Sequence, residues 1–183
     1  MPFYVTLIVC VLLLFASLVF PLTNLAIAKT FKGSIGNDDT TGTSIGDRIN
    51  GEKGNDTLTG LEGSDIIDGD IGYDVLIGSQ GNDYLIGGKD NDTMQGDDGD
   101  DQMEGDGGND VISGGMGDDV LIGGIGDDIL DGQDGNDNLF GGPNSDTLKG
   151  GQGIDYFDCG VGKDKVLDFN IDEGDVRALN CEN

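Results

Sequence analysis

The chain has 183 residues, with 36 acidic against 9 basic side chains, 35 glycines and no histidine, for a formal charge of −27. Such a charge opposes nucleic-acid binding, which relies on Lys and Arg to neutralise phosphates. Without histidine there is no HExxH zinc site and no Ser-His-Asp or Cys-His arrangement.

Residues 1–28 carry no charge, and the run from Phe3 to Phe20 is almost wholly apolar before Pro21. Ala26-Ile27-Ala28 has the small-x-small form of a secretory cleavage site, but no basic residue lies near Met1 and the run is long enough to span a bilayer. The segment therefore reads either as a signal peptide or as an uncleaved membrane anchor. Both place the remaining chain outside the cell, secreted or attached to its surface. Membrane contact is expected only through residues 1–28 if they stay attached. Cys10 follows Val9, a poor fit to a lipoprotein cleavage box, so no lipid anchor is expected.

From Gly33 to Leu167 one nine-residue phrase is repeated fifteen times without insertion. Its first position is glycine at 33, 42, 51, 60, 69, 78, 87, 96, 105, 114, 123, 132, 141 and 150, with Cys159 closing the series. Its sixth position is always aspartate: Asp38, Asp47, Asp56, Asp65, Asp74, Asp83, Asp92, Asp101, Asp110, Asp119, Asp128, Asp137, Asp146, Asp155 and Asp164. Its eighth is mostly apolar: Thr40, Ile49, Leu58, Ile67, Leu76, Leu85, Met94, Met103, Ile112, Leu121, Leu130, Leu139, Leu148, Phe157 and Val166. A strict short period of this length implies a solenoid, because every unit must fill the same length of the same coil. Positions one to six are read as turns, rich in glycine and short polar residues. Positions seven to nine are read as three-residue strands with the middle side chain inward. Counting back nine from Thr40 reaches Phe31, so Lys29-Thr30-Phe31-Lys32 supplies one more inward apolar residue before the first unit.

Two such units per coil would stack into two short-stranded parallel sheets at roughly 4.8 Å per coil. One thin row of apolar side chains must then hold together an array of stacked carboxylates that repel each other. A hard divalent cation between them resolves the conflict, since calcium takes six to eight oxygens from carboxylates and backbone carbonyls. The phrase resembles the repeats-in-toxin (RTX), or hemolysin-type, calcium-binding nonapeptide repeat, Gly-Gly-x-Gly-x-Asp-x-apolar-x, over residues 33–167. The resemblance implies an all-β fold, a parallel β-roll. It also implies Ca2+ between the turns of adjacent coils, held by the position-six aspartates and by loop carbonyls such as Gly114, Gly117, Gly123 and Gly126. If each ion bridges a unit and the one two further on, there is room for at most about thirteen ions, nearly enough to cancel the charge of −27. Position four is glycine in twelve units; of the exceptions Ile45, Asp90 and Asn144, only β-branched Ile45 resists the left-handed region, which marks unit two as the weak calcium loop, through drift tolerated in the N-terminal coil rather than a designed low-affinity site.

Outward positions offer a second surface. Asp39, Thr57, Val75, Thr93, Val111, Ile129 and Thr147 form a β-branched stripe on one sheet, and Ile86, Ile122 and Phe140 stand at position nine of the other. These are either ordinary strand formers or an adhesive face for cell-surface polysaccharide or a second copy of the chain.

After Leu167 the period ends, and residues 168–183 read as a cap on a roll spanning 29–167. Cys159 and Cys181 are the only cysteines beyond residue 28. An even pair outside the cell points to a disulfide, with two buried free thiols as the alternative. The acids show no singular catalytic constellation, so no enzyme is expected. Two functional readings remain: a secreted or surface calcium binder that folds on taking up the ion, or a calcium-dependent adhesive module of the cell envelope.

Overall fold

The computed structural model describes residues 28–181. The expected signal or anchor segment lies outside them, apart from Ala28. Seventeen strands and no helix occur among these residues. Successive strands alternate between a nine-stranded and an eight-stranded sheet, both parallel, in a roll of about eight coils. Each strand pairs with the one two further on in strict register, as in Thr57↔Val75 and Ile66↔Tyr84. The position-eight side chains from Ile49 to Phe157 lie between the sheets with at most 1% exposure, a single file of apolar groups.

The strands are longer than three residues through most of the roll. Thr57–Glu62, Ile66–Ile71, Val75–Gln80 and their neighbours run six residues, from position seven into position three of the next unit. The alternation explains why: two residues beyond position eight lies position one, which also faces inward. Nine of the fourteen position-one glycines assigned to the turn are therefore strand residues, and those from Gly51 to Gly150 are buried. Pairing steps over them, from Thr59↔Ile77 to Leu61↔Ser79, so the corner of the coil sits at this point.

What position one demands is space. None of its glycines has a positive φ. A methyl group added at Gly96 would lie 2.2 Å from Asp101 Oδ2 and 2.6 Å from the Gly114 carbonyl oxygen. The left-handed residues are instead at positions two and four. Position four takes positive φ at Asp90 and Asn144 as well as at most of its glycines, whereas Ile45 does not adopt it. Position two takes it at Glu52, Leu61, Asp70, Ser79, Asp97, Asp106 and Gln133, where a side chain makes this conformation cost about 1–2 kcal/mol.

Both ends of the file are closed by the chain itself. At the start Thr30–Lys32 pairs with Arg48–Asn50, which sets Phe31 beside Ile49 and against the core. At the other end Val176–Arg177 pairs with Tyr156–Asp158. Phe169 packs edge-on against Phe157 at 6.2 Å, and the Arg177 guanidinium lies 4.8 Å from the Phe169 ring centre. Asp168 accepts hydrogen bonds from the Gly150 and Gly151 N–H groups at 3.0 Å. A disulfide joins Cys159 to Cys181 and ties the last segment to the final coil.

The space argument separates a buried position-one glycine from a half-buried glycine with open space beside it. Gly96→Ala should destabilise the roll by about 1–3 kcal/mol through overpacking. Gly107→Ala should leave stability within roughly 0.5 kcal/mol, since an added methyl there meets nothing closer than 4.0 Å. Thermal unfolding of the two variants under identical ion conditions checks the difference.

Candidate metal centre

Alternation by two from position eight also turns position six inward. Every aspartate in the series from Asp47 to Asp164 is buried, while Asp38 at the first unit is partly exposed. Their two carboxylate oxygens have different fates. Oδ1 accepts the backbone N–H of the position-six residue one coil earlier: Asp65 Oδ1 from Asp47 at 2.6 Å, Asp101 Oδ1 from Asp83 at 2.8 Å, Asp146 Oδ1 from Asp128 at 2.9 Å. The ladder runs along both edges of the roll, eighteen residues per step, and the cap extends it where Asp155 N–H donates to Asp175 Oδ1.

Oδ2 is different. In eleven consecutive units, from Asp56 to Asp146, it is buried and has no hydrogen-bond partner. A buried charged oxygen without a partner is among the costliest arrangements a protein interior can hold. Beside it lies a second oxygen. The point where a methyl on Gly105 would sit is 2.4 Å from Asp110 Oδ2 and 2.4 Å from the Gly123 carbonyl oxygen. The corresponding point at Gly123 is 2.5 Å from Asp128 Oδ2 and 2.6 Å from the Gly141 carbonyl oxygen. Position-one glycine, position-six aspartate and the glycine carbonyl one coil on thus make an oxygen-lined cradle in which Oδ2 is orphaned from unit three to unit thirteen, the last using the Cys159 carbonyl.

These donors fit a hard cation. The orphaned Oδ2 needs a positive partner, and both donor types are oxygen, the preference of calcium. Among the described residues no three His, Cys, Asp or Glu side chains converge on one point. Side chains alone therefore do not complete a coordination shell, and backbone carbonyls have to contribute. Of the carbonyls singled out from the sequence, those of Gly114 and Gly123 adjoin the orphaned oxygens of Asp101 and Asp110. The Gly117 carbonyl instead faces the α-carbon of Gly135, on the side of Asp137 Oδ1. The α-carbon of Gly126 abuts the Gly108 carbonyl as that of Gly135 abuts the Gly117 carbonyl.

The first two units break the pattern. Asp38 Oδ2 accepts the Ser34 N–H at 2.6 Å, and Asp47 Oδ2 accepts both the Thr43 N–H at 2.6 Å and the Thr43 hydroxyl at 2.8 Å. Ser34 and Thr43 occupy position two without a positive φ, and their N–H groups turn inward to the carboxylate. Once position two becomes left-handed, at Glu52, that donor is lost and the orphaned oxygens begin. Unit two is thus distinguished by Thr43 as well as by Ile45. Sequence reading missed position two, although its signal was present: six glycines and three aspartates among fifteen residues.

The charges follow the same division. Burial pushes Asp92 and Asp119 up to about 7, and Asp74, Asp83, Asp101, Asp110, Asp128, Asp137 and Asp146 up to about 6. The Oδ1 hydrogen bond opposes this rise, and neighbouring carboxylates reinforce it. Asp47 moves the other way: burial raises it, but hydrogen bonds from Lys29 and Thr43 outweigh that and hold it below the ordinary value.

A further ladder lies on the outer surface of the turns. Position-five oxygens accept N–H groups one coil on, as in Asn55 Oδ1 from Tyr73, Asp118 Oδ1 from Asn136 and Asn136 Oδ1 from Ile154. These residues are exposed, and their ladder is satisfied without any ion.

The family described as RTX calcium-binding nonapeptide repeat matches four stretches of the chain, residues 41–76, 77–112, 113–148 and 140–166. No curated protein matches the chain.

Folded-state values above the ordinary 3.8 mean that the metal-free roll binds more protons than the unfolded chain between pH 4 and 7. The stability so contributed is fully present below about pH 4 and is lost as pH rises through 6 to 7. In chelator, the far-ultraviolet β signal should therefore fall as pH is raised from 5 to 8. A flat or rising signal contradicts the assignment of these carboxylates.

Proposed function

The chain belongs to the RTX calcium-binding nonapeptide repeat family, and from that premise we propose that it is a calcium-dependent β-roll working outside the cell. On this reading the roll spans 29–167, residues 168–183 close it, and residues 1–28 carry it to the surface. The observation that carries the proposal is the row of eleven buried, partnerless Oδ2 atoms, each beside a backbone carbonyl oxygen.

Bound calcium supplies positive charge and a demand for six to eight oxygens. The chain's own contribution is positional. Oδ1 of each aspartate, fixed by the N–H of the previous coil, sets the direction of Oδ2. Position-one glycine leaves the room, and the glycine carbonyl one coil later provides a neutral donor. The ligands are thus Asp56, Asp65, Asp74, Asp83, Asp92, Asp101, Asp110, Asp119, Asp128, Asp137 and Asp146, one per cradle. Asp38 and Asp47 are satisfied by Ser34 and Thr43 and hold no ion. Asp155 and Asp164 belong to the closed C-terminal end. The count is then about eleven ions, inside the bound of about thirteen set by the repeats.

Binding and folding are coupled in this scheme. Without cations the buried carboxylates at neutral pH must either take up protons or leave the interior, and a chain of this charge and modest apolar content then expands. The roll is not a catalyst, since its acids serve the ladder and the cradles.

Far-ultraviolet circular dichroism during a calcium titration at pH 7.5 should show a cooperative gain of β signal, with magnesium far less effective because it needs a tight octahedral shell. Asp119→Asn keeps the Oδ1 acceptor and removes one charge. It should bind one calcium fewer by equilibrium dialysis, yet be more structured than wild type in chelator. A wild-type chain equally folded in calcium and in chelator at this pH contradicts the proposal.

A second reading is favoured by the exposed ridge on the eight-stranded sheet. Val75, Val111 and Ile129 are 38%, 43% and 49% exposed and stand in register with Thr57, Thr93 and Thr147. Ile86, Ile122 and Phe140 on the other sheet are half-buried and offer less. The ridge would join copies of the roll once calcium has ordered it. Val111→Lys with Ile129→Lys should then abolish calcium-dependent sedimentation while leaving calcium uptake intact; unchanged sedimentation contradicts it.

A further inference from the structure

The ladder of position-six N–H groups begins at a residue that is not an aspartate. Lys29 stands eighteen residues before Asp47, and its backbone nitrogen donates to Asp47 Oδ1 at 2.5 Å. Its carbonyl accepts the Arg48 N–H at 2.9 Å. The regular coil therefore starts at the nitrogen of Lys29, and Ala28 before it is exposed. This nitrogen is also the first atom after the Ala26-Ile27-Ala28 cleavage pattern. Two independent signals, one from local sequence and one from hydrogen bonding eighteen residues away, meet at the same peptide bond.

We infer that the Ala28–Lys29 bond is the processing site, and that the α-ammonium group released there is the cation of the first coil, bonded to Asp47 Oδ1 in place of a metal ion. Hydrolysis of the bond adds one water: the Ala28 carbonyl leaves as a carboxylate with the upstream segment, and the Lys29 nitrogen becomes –NH3+. The nitrogen already lies within hydrogen-bond distance, so no rearrangement is needed. A neutral amide donor becomes a charged one, and hydrogen bonds of that kind are roughly twice as strong.

The inner cradles make the substitution intelligible. There Oδ1 meets a neutral N–H and Oδ2 is left for a cation. At Asp47 the order is reversed: Thr43 fills Oδ2 with two neutral donors, and the positive charge arrives at Oδ1. The buried carboxylate is then neutralised by the chain's own terminus. The Lys29 ammonium lies 5.9 Å from the centre of the Phe31 ring and acts on Asp47 only through its charge, without a hydrogen bond to it. The first coil can in consequence order without calcium and offer the others a template. This rests on the reading of the inner coils as calcium-dependent and of the chain as exported.

The test begins with the full chain exported from a bacterial host. Intact mass and N-terminal sequencing of the product should give Lys29 as the first residue, and any other start overturns the proposal. Four chains are then compared in calcium: one beginning at Lys29, one with Gly-Ser placed before Lys29, and each of these carrying Asp47→Asn. The extension preserves the N–H but removes the charge from that nitrogen. It should lower the thermal midpoint by roughly 2–4 °C in the Asp47 background and leave it unchanged in the Asp47→Asn background. Equal midpoints with Asp47 present, or an equal loss in both backgrounds, overturn the inference. Calcium-driven gain of β signal is recorded on the same chains. No gain in any of them overturns the calcium reading together with this one, whereas a normal gain without dependence on the extension overturns this one alone.

Discussion

From Asp56 to Asp146 each position-six aspartate holds a neighbouring coil with one oxygen and leaves the other bare inside the protein. The first role is ordinary, since a backbone N–H at the corner of a coil needs an acceptor, and Oδ1 of the aspartate one coil on supplies it at 2.6–3.1 Å along the roll. The second is costly, because a desolvated carboxylate oxygen with no donor opposes the folded state. The fold depends on how this conflict is resolved. Strict nine-residue spacing follows from it, since an insertion would move an aspartate out of step with the N–H it must meet. So does glycine at position one, because a side chain there would fill the space beside Oδ2.

The ends of the roll show how the same conflict is settled without a foreign ion. Ser34 and Thr43 give up the left-handed turn and bring N–H groups inward. At the far end Asp175 takes over the ladder, its Oδ1 toward Asp155 and its Oδ2 toward the Asn170 N–H at 2.7 Å, although it lies twenty rather than eighteen residues from Asp155. Cys159 fills the position-one space with its own side chain, and the disulfide holds that coil shut. The first coil has the glycine carbonyls of Gly51 and Gly60 beside Asp38 and Asp47, so what sets it apart is the protein donor already on each Oδ2.

Much of this was legible in the nine-residue period. Identical spacing of Leu58, Leu76 and Met94 places them in one file, and the two-sheet roll follows once each unit is too short for more than one strand. The boundary between strand and turn was not legible. Glycine at position one reads as a turn residue by composition, yet counting by twos from Leu58 reaches Gly60, and the strand continues through it. The period revealed the left-handed residues at position four but not those at position two, where Leu61 and Gln133 carry no local sign of it and the coil imposes that conformation on them. The aspartates were identified from their repetition alone. Their hydrogen bonds across eighteen residues are a property of stacking, which one unit cannot display.

The identity of position six separates a structural ladder from a metal-binding one. Asparagine would serve the structural role better: its carbonyl would accept the same N–H, and its amide would donate to the glycine carbonyl where Oδ2 now has nothing to meet. No buried charge would result. The chain uses asparagine freely in the adjacent outer ladder, at Asn37, Asn55, Asn82, Asn91, Asn109 and Asn136, where it alternates with aspartate without penalty. At position six asparagine never appears in fifteen units. A ladder built only for stacking has no reason to keep a less favourable side chain one atom away from a better one. A cradle that must attract a divalent ion does, because only the carboxylate brings the charge that offsets the ion's loss of water.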